Sequence, residues 1–123
     1  MPDQILVVED DSNLAFVLCE TLRLRGYRAE AVGTLAALRE RLTAAPYDLV
    51  LLDLRLPDID GRVVWEWVNE RRPALVRRVA FMTGDTMSEE TQHFLEETGR
   101  PVVSKPLSIA RVREVLDEIA PVS

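Results

Sequence analysis

Short apolar runs alternate with amphipathic segments along the whole chain, and few folds accommodate that rhythm. Ile5-Leu6-Val7-Val8, the run Tyr47-Asp48-Leu49-Val50-Leu51-Leu52-Asp53, and Val79-Ala80-Phe81-Met82 are apolar without the alternation of a half-exposed strand. They read as strands buried on both faces. Val102-Val103 is a shorter run of the same kind. Arg28-Ala29-Glu30-Ala31-Val32 reads as another strand, and its charges place it at a sheet edge.

Helical patterns fill the intervals. The first is predicted from about Ser12 to Arg25, with Leu14, Val17, Leu18 and Leu22 on one face and Gly26 as its stop. Thr34 caps a second, carrying Leu35, Leu38 and Leu42 before Pro46. A third runs from about Arg62 to Arg71 and stops before Pro73. Thr86 and Glu89 have capping-box spacing for a fourth that ends near Gly99. Ser108 caps the last, with Ile109, Val112, Leu116 and Ile119 on one face. Strands that alternate with helices predict an α/β domain, a parallel sheet covered on both sides. The chain has 123 residues, and a single domain over 1–123 uses all of them.

A formal net charge of -6 argues against direct nucleic-acid binding, which needs a basic face. No apolar stretch approaches a membrane span, and Met1-Pro2-Asp3-Gln4 lacks a signal-peptide layout, so a cytoplasmic protein is expected. The single cysteine, Cys19, falls in an apolar helical pattern and reads as a small core residue.

Open parallel sheets bind ligands at the carboxyl ends of their strands. There the chain places Glu9-Asp10, Asp53, Thr83 and, after Ser104, Lys105. Adjacent carboxylates repel unless they share a cation, and Mg²⁺ prefers hard oxygen ligands. Asp11 and Ser12 lie beside a helix start and read as caps. Asp53 is a candidate nucleophile toward phosphorus. A metal and Lys105 would neutralise phosphoryl oxygens, and Thr83 could donate its hydroxyl to one. Each residue alone has an ordinary surface or capping reading, whereas the joint placement is specific.

The motifs Val7-Val8-Glu9-Asp10-Asp11, Leu51-Leu52-Asp53-Leu54-Arg55-Leu56-Pro57-Asp58-Ile59-Asp60-Gly61, Met82-Thr83-Gly84 and Lys105-Pro106 occur in this order. With them the chain resembles a response-regulator receiver domain of two-component signalling over essentially its full length. The resemblance implies a CheY-like, flavodoxin-like (βα)5 three-layer sandwich with strand order 2-1-3-4-5. It also implies that Asp53 receives a phosphoryl group from a histidine kinase or histidine phosphotransfer protein. Asp10, Asp53 and the Arg55 backbone carbonyl would bind Mg²⁺, Glu9 would hold a metal-bound water, and Thr83 and Lys105 would contact the phosphate. The Lys105-Pro106 bond is typically cis in the family. Charge and hydropathy together predict no direct nucleic-acid or membrane contact by this domain, and a weak homodimer is compatible with the resemblance.

The chain departs from the family at Val102, three residues before Lys105, where the usual switch has an aromatic ring. The signal is then weaker, or uses another element, or the domain mainly passes phosphoryl groups onward. Arg55 and Asp85 frame the pocket mouth. They either pair across it and hinder water attack, or stay solvated and contribute little. Phe81-Met82-Thr83-Gly84-Asp85 with Thr98-Gly99-Arg100-Pro101 is similar to receivers of hybrid histidine kinases, so the chain is either free-standing or part of a longer protein.

Trp65 and Trp67 are two apart on a helix, about 200° around it, so Trp65 is expected inward with Val64 and Val68. Trp67 is expected outside beside Val63, as a partner anchor or lying over Arg71. His93 reads as a solvated helix residue.

Three other classes compete with a signalling phosphoacceptor. A phosphatase of the haloacid dehalogenase type needs an Asp where this chain has Arg55. A pseudo-receiver commonly lacks the acidic pair, the Asp or the Lys, and all are present. A P-loop protein needs a Gly-rich turn after the first strand, which this chain does not have.

Overall fold

Five parallel strands form the centre of the molecule. They are β1 (Gln4–Val8), β2 (Arg28–Val32), β3 (Leu49–Asp53), β4 (Val79–Thr83) and β5 (Val102–Ser104), in the spatial order β2-β1-β3-β4-β5. The helices are α1 (Ser12–Leu24), α2 (Leu35–Ala44), α3 (Gly61–Arg71), α4 (Pro73–Val76), α5 (Glu89–Thr98) and α6 (Ile109–Ile119). This computed structural model describes residues 4–54, 61–84, 89–104 and 109–119. The flavodoxin-like order and the edge position of β2 agree with the sequence.

Alternate residues of each strand supply two separate cores. Leu6, Val8, Val50, Leu52, Val79 and Phe81 meet Leu38 and Leu42 of α2, Val64 and Val68 of α3, and Phe94 and Leu95 of α5. Ile5, Val7, Leu49, Leu51, Ala80 and Met82 face the other way, toward Leu18, Cys19 and Leu22 of α1 and Val112, Val115 and Leu116 of α6. The inner strands β1, β3 and β4 are almost wholly apolar because neither face meets water, as parallel sheets require, whereas the edge strand β2 keeps Arg28 and Glu30.

Local chemistry sets the helix ends. Asp11 caps α1 by accepting from the amides of Asn13 (3.0 Å) and Leu14 (3.2 Å). At the other end, the Gly26 amide bonds Arg23 O and the Tyr27 amide bonds Leu22 O, with Gly26 at φ +94°. These two bonds close the helix in the left-handed turn that glycine favours. Thr34 Oγ1 accepts from the Ala37 amide and caps α2. Thr86 and Ser108, the remaining capping candidates, lie outside the described residues.

Four readings need correction. The buried stripe of α1 is Ala15, Leu18, Cys19 and Leu22, so Val17, about 100° around the helix from Leu18, is 52% exposed. Leu14 is half-buried. On α6, Val115 is fully buried beside Val112 and Leu116, one position the expected face omitted; the side chains of Ile109 and Ile119 lie outside the described part. Trp67 lies over Arg71 as expected, the guanidinium 5.1 Å from its ring centroid, but it is half-buried against the same core as Trp65 rather than outside. Lastly, Pro73 begins α4 as well as following α3. A proline fits the first helical turn, where its missing N–H is not needed.

Candidate functional site

Strand register carries the reactive residues to one edge of the sheet. Val8 pairs with Leu52, Asp53 with Met82, and Thr83 with Ser104. Glu9 and Asp53 therefore sit at matching heights on neighbouring strands, with Thr83 one residue beyond the partner of Asp53. Two backbone bonds extend the pairing past the strand ends: Glu9 N to Val32 O and Leu54 N to Met82 O, both 2.9 Å.

One carboxylate oxygen from each of Glu9, Asp10 and Asp53 lies within 4.8 Å of the other two. Asp10 is exposed, whereas Glu9 is 3% and Asp53 1% exposed. Asp11 stands apart, its carboxylate taken up by the α1 cap. Three hard oxygen donors this close, two of them buried, concentrate negative charge in a poorly solvated place. That donor set suits an oxygen-seeking divalent cation such as Mg²⁺ and would be stabilised by one. Thr83 is also buried, at 3% exposure, and adds a hydroxyl at the end of β4.

The structure thus brings together four of the anticipated residues: Glu9, Asp10, Asp53 and Thr83. Arg55, Asp85, Lys105 and Pro106 lie outside the described residues, and with them the possible gate and the cis bond. Val102 is half-buried at the margin of the first core, paired in register with Phe81. His93 is an exposed helix residue, as the sequence indicates; its Nε2 is 3.1 Å from Glu97 Oε1.

Sequence reasoning missed the setting of Gly61. It reads as a turn former, yet a Cβ there would come within 2.5 Å of Leu54 Cδ2. The absent side chain lets α3 begin directly against the residue that follows Asp53. Also missed was an aromatic chain in which Trp65 lies 6.0 Å and Phe94 5.5 Å from Phe81. No periodicity signals it, because its members come from α3, β4 and α5.

The sheet order and an acidic trio at its carboxyl edge define an α/β module with a candidate cation site. The response regulator receiver domain family matches residues 5–117, and the chain belongs to that family. It is therefore a receiver domain of two-component systems. It is 31% identical over 118 residues to the swarming motility regulation protein RssB of Serratia marcescens, covering 90% of this chain and 52% of that protein. The response regulator receiver protein CpdR of Brucella abortus (strain 2308) is 28% identical over 116 residues, covering 94% of this chain and 92% of that one. Among solved structures, a CheY-like receiver domain protein from Methanospirillum hungatei JF-1 superposes with a TM-score of 0.82 at 26% identity, covering 97% of each chain. The chain spans about half the length of RssB and of the transcriptional regulatory protein PmrA of Pectobacterium parmentieri. Among the described residues, no helix is long and apolar enough to cross a membrane.

Proposed function

We propose that the domain is a Mg²⁺-dependent phosphoacceptor whose nucleophile is Asp53 and whose donor is a histidine kinase or histidine phosphotransfer protein. The observation that carries this reading is the acidic trio, with Asp53 at its buried side. Asp53 supplies a carboxylate oxygen that bonds to phosphorus while the phosphorus–nitrogen bond of the donor's phosphohistidine breaks. The electron pair stays on the imidazole nitrogen, which takes up a proton.

Asp10, Asp53 and the Arg55 carbonyl would hold the cation, and Glu9 would orient one of its waters. When bound, the ion neutralises charge on the phosphoryl oxygens. Thr83 donates its hydroxyl to one of those oxygens, and Lys105 adds a second positive charge by resemblance to the family. Arg55 and Asp85 remain candidates for controlling water access. The domain turns over no external substrate, acts in the cytoplasm and signals by altered partner contacts. With Val102 on β5, no aromatic ring there can follow Thr83.

Intact mass after incubation with acetyl phosphate tests the reading, with and without Mg²⁺ and on Asp53→Asn. A single phosphoryl gain that needs Mg²⁺ and is absent in the variant is expected. No gain from acetyl phosphate or from a phosphorylated histidine phosphotransfer protein would overturn it.

A further inference from the structure

The opposite edge of the sheet carries a different chemistry. Arg71 closes α3 and Arg72 precedes α4, Arg77 and Arg78 lead into β4, and α4 lies between the two pairs. No acidic residue falls between Arg71 and Arg78. Elsewhere Arg23, Arg41, Arg62 and Arg111 each pair with a glutamate. None of the four arginines around α4 has a carboxylate partner among the described residues. In a chain of net charge -6, a cluster of four cations with one nearby carboxylate, Asp48, is a local reversal of sign.

Two of these side chains are also held in place. Arg72 Nη2 donates to the Leu42 carbonyl, and the Arg71 guanidinium stacks over Trp67. Ordering them in advance lowers the entropy lost when they bind something else. An open groove of about 450 Å³ runs beside them, with Pro73, Ala74 and Leu75 as its apolar lining and Arg78 on its rim. Arg77 and Arg78 border a second groove on α4. The Asp48 carboxylate reaches the first groove, but it accepts from the Gln4 amide at 2.8 Å.

We propose that this arginine-flanked surface around α4 docks an acidic segment of a partner protein, with carboxylates on the guanidiniums and an apolar side chain on Pro73, Ala74 and Leu75. Arginine forks suit carboxylates in paired geometry, and clusters of them recognise acidic motifs. The apolar lining favours such a peptide over a nucleic-acid backbone, which presents an unbroken row of phosphates and no apolar side chain. The surface lies across the sheet from Asp53, so a partner there leaves the phosphoacceptor edge open.

The test uses the ¹⁵N-labelled protein, titrated with a Glu/Leu dodecapeptide and separately with a single-stranded oligonucleotide of equal charge. Amide and arginine Nε shifts should cluster between Arg71 and Arg78 with the peptide. Its affinity should fall about tenfold in the exposed double variant Arg77→Gln/Arg78→Gln, and about as much again on raising salt from about 20 to about 200 mM. The variant should keep its wild-type spectrum elsewhere and its acetyl phosphate reactivity. Absent or scattered shifts would overturn the proposal. Equal or tighter oligonucleotide binding would replace it with a nucleic-acid surface, and peptide-independent shifts that grow with protein concentration would replace it with self-association.

Discussion

Arg62 Nη1 on α3 donates to Glu97 Oε2 on α5 at 3.1 Å, and the same guanidinium lies 5.1 Å from the ring centroid of Phe94. Arg62 also lines a cleft that opens beside Leu54 and Gly61. The hydrogen bond from Arg62 holds the Glu97 carboxyl below its ordinary value, against the opposing effect of burial; the charges of Arg62 and His93 add to the lowering. A depressed carboxyl pKa contributes stability above the unfolded value, and that contribution is lost as pH falls through the folded one. A side-chain carbonyl NMR titration should therefore place Glu97 below an ordinary glutamate. In Arg62→Gln the midpoint should return toward 4.5. An unmoved midpoint would show that the bond does not persist in solution.

Tyr47 holds together three elements at the amino-terminal edge of the sheet. Its hydroxyl donates to Glu30 Oε2 at 2.8 Å and accepts from Arg41 Nε at 3.1 Å, linking β2, α2 and the approach to β3. Tyr47→Phe removes both bonds and keeps the ring, so urea unfolding should report a loss of about 1–2 kcal/mol. Burial, then the Glu30 hydrogen bond, push the phenol above 10. A raised folded pKa means its contribution is complete below the unfolded value and is lost as pH rises through the folded one. Absorbance titration of wild type against the variant should show the missing phenol as a late-titrating one.

The parallel strands and the acidic trio were legible because both follow from local pattern. Unbroken apolar runs mean burial on two faces, and register then carries whatever follows each run to one edge. Glu9, Asp53 and Thr83 are cases of that rule. Val17 and Val115 were misjudged because apolar identity alone does not fix which side of a helix meets the sheet, whereas Trp67 lies over Arg71 as expected and is only less exposed than its position two residues from Trp65 suggests. The short helix α4 was hidden by reading Pro73 only as a terminator. Arg62–Glu97 and Phe81–Phe94 join residues distant in sequence, and no single-segment pattern encodes such pairs.

Gly61→Ala sets two effects against each other. Alanine at a helix position gains about 0.5–1 kcal/mol over glycine. Here, however, the new Cβ would meet Leu54 Cδ2 at 2.5 Å, and overpacking of that kind costs about 1–3 kcal/mol. Leu54 Cδ2 is the end of a half-buried side chain that can turn aside, so the cost falls at the low end of that range and Gly61→Ala should move the urea midpoint little. In a Leu54→Ala background the obstructing methyl is gone, and the same substitution should become stabilising. A midpoint that moves equally in both backgrounds would mean that Leu54 is not the obstacle.

Glu9, Asp10 and Asp53 should make the cation-free domain less stable than it could be. Two like charges within 4.8 Å of each other repel by at least about 3 kcal/mol at an effective dielectric of about 20. Asp53→Asn removes one charge and keeps the shape, so without divalent cations it should unfold at higher urea than wild type, by at least about 1 kcal/mol. Mg²⁺ should reverse the order. Ligand that binds only the folded state stabilises by about 2.7 kcal/mol at a hundredfold excess over Kd, and the variant should recover much less of that gain. Urea unfolding of both proteins, with chelator and with Mg²⁺, gives all four values. Equal Mg²⁺ stabilisation in wild type and variant would place the cation away from Asp53, whereas a less stable variant in chelator would show that the Asp53 carboxylate is already compensated without a metal.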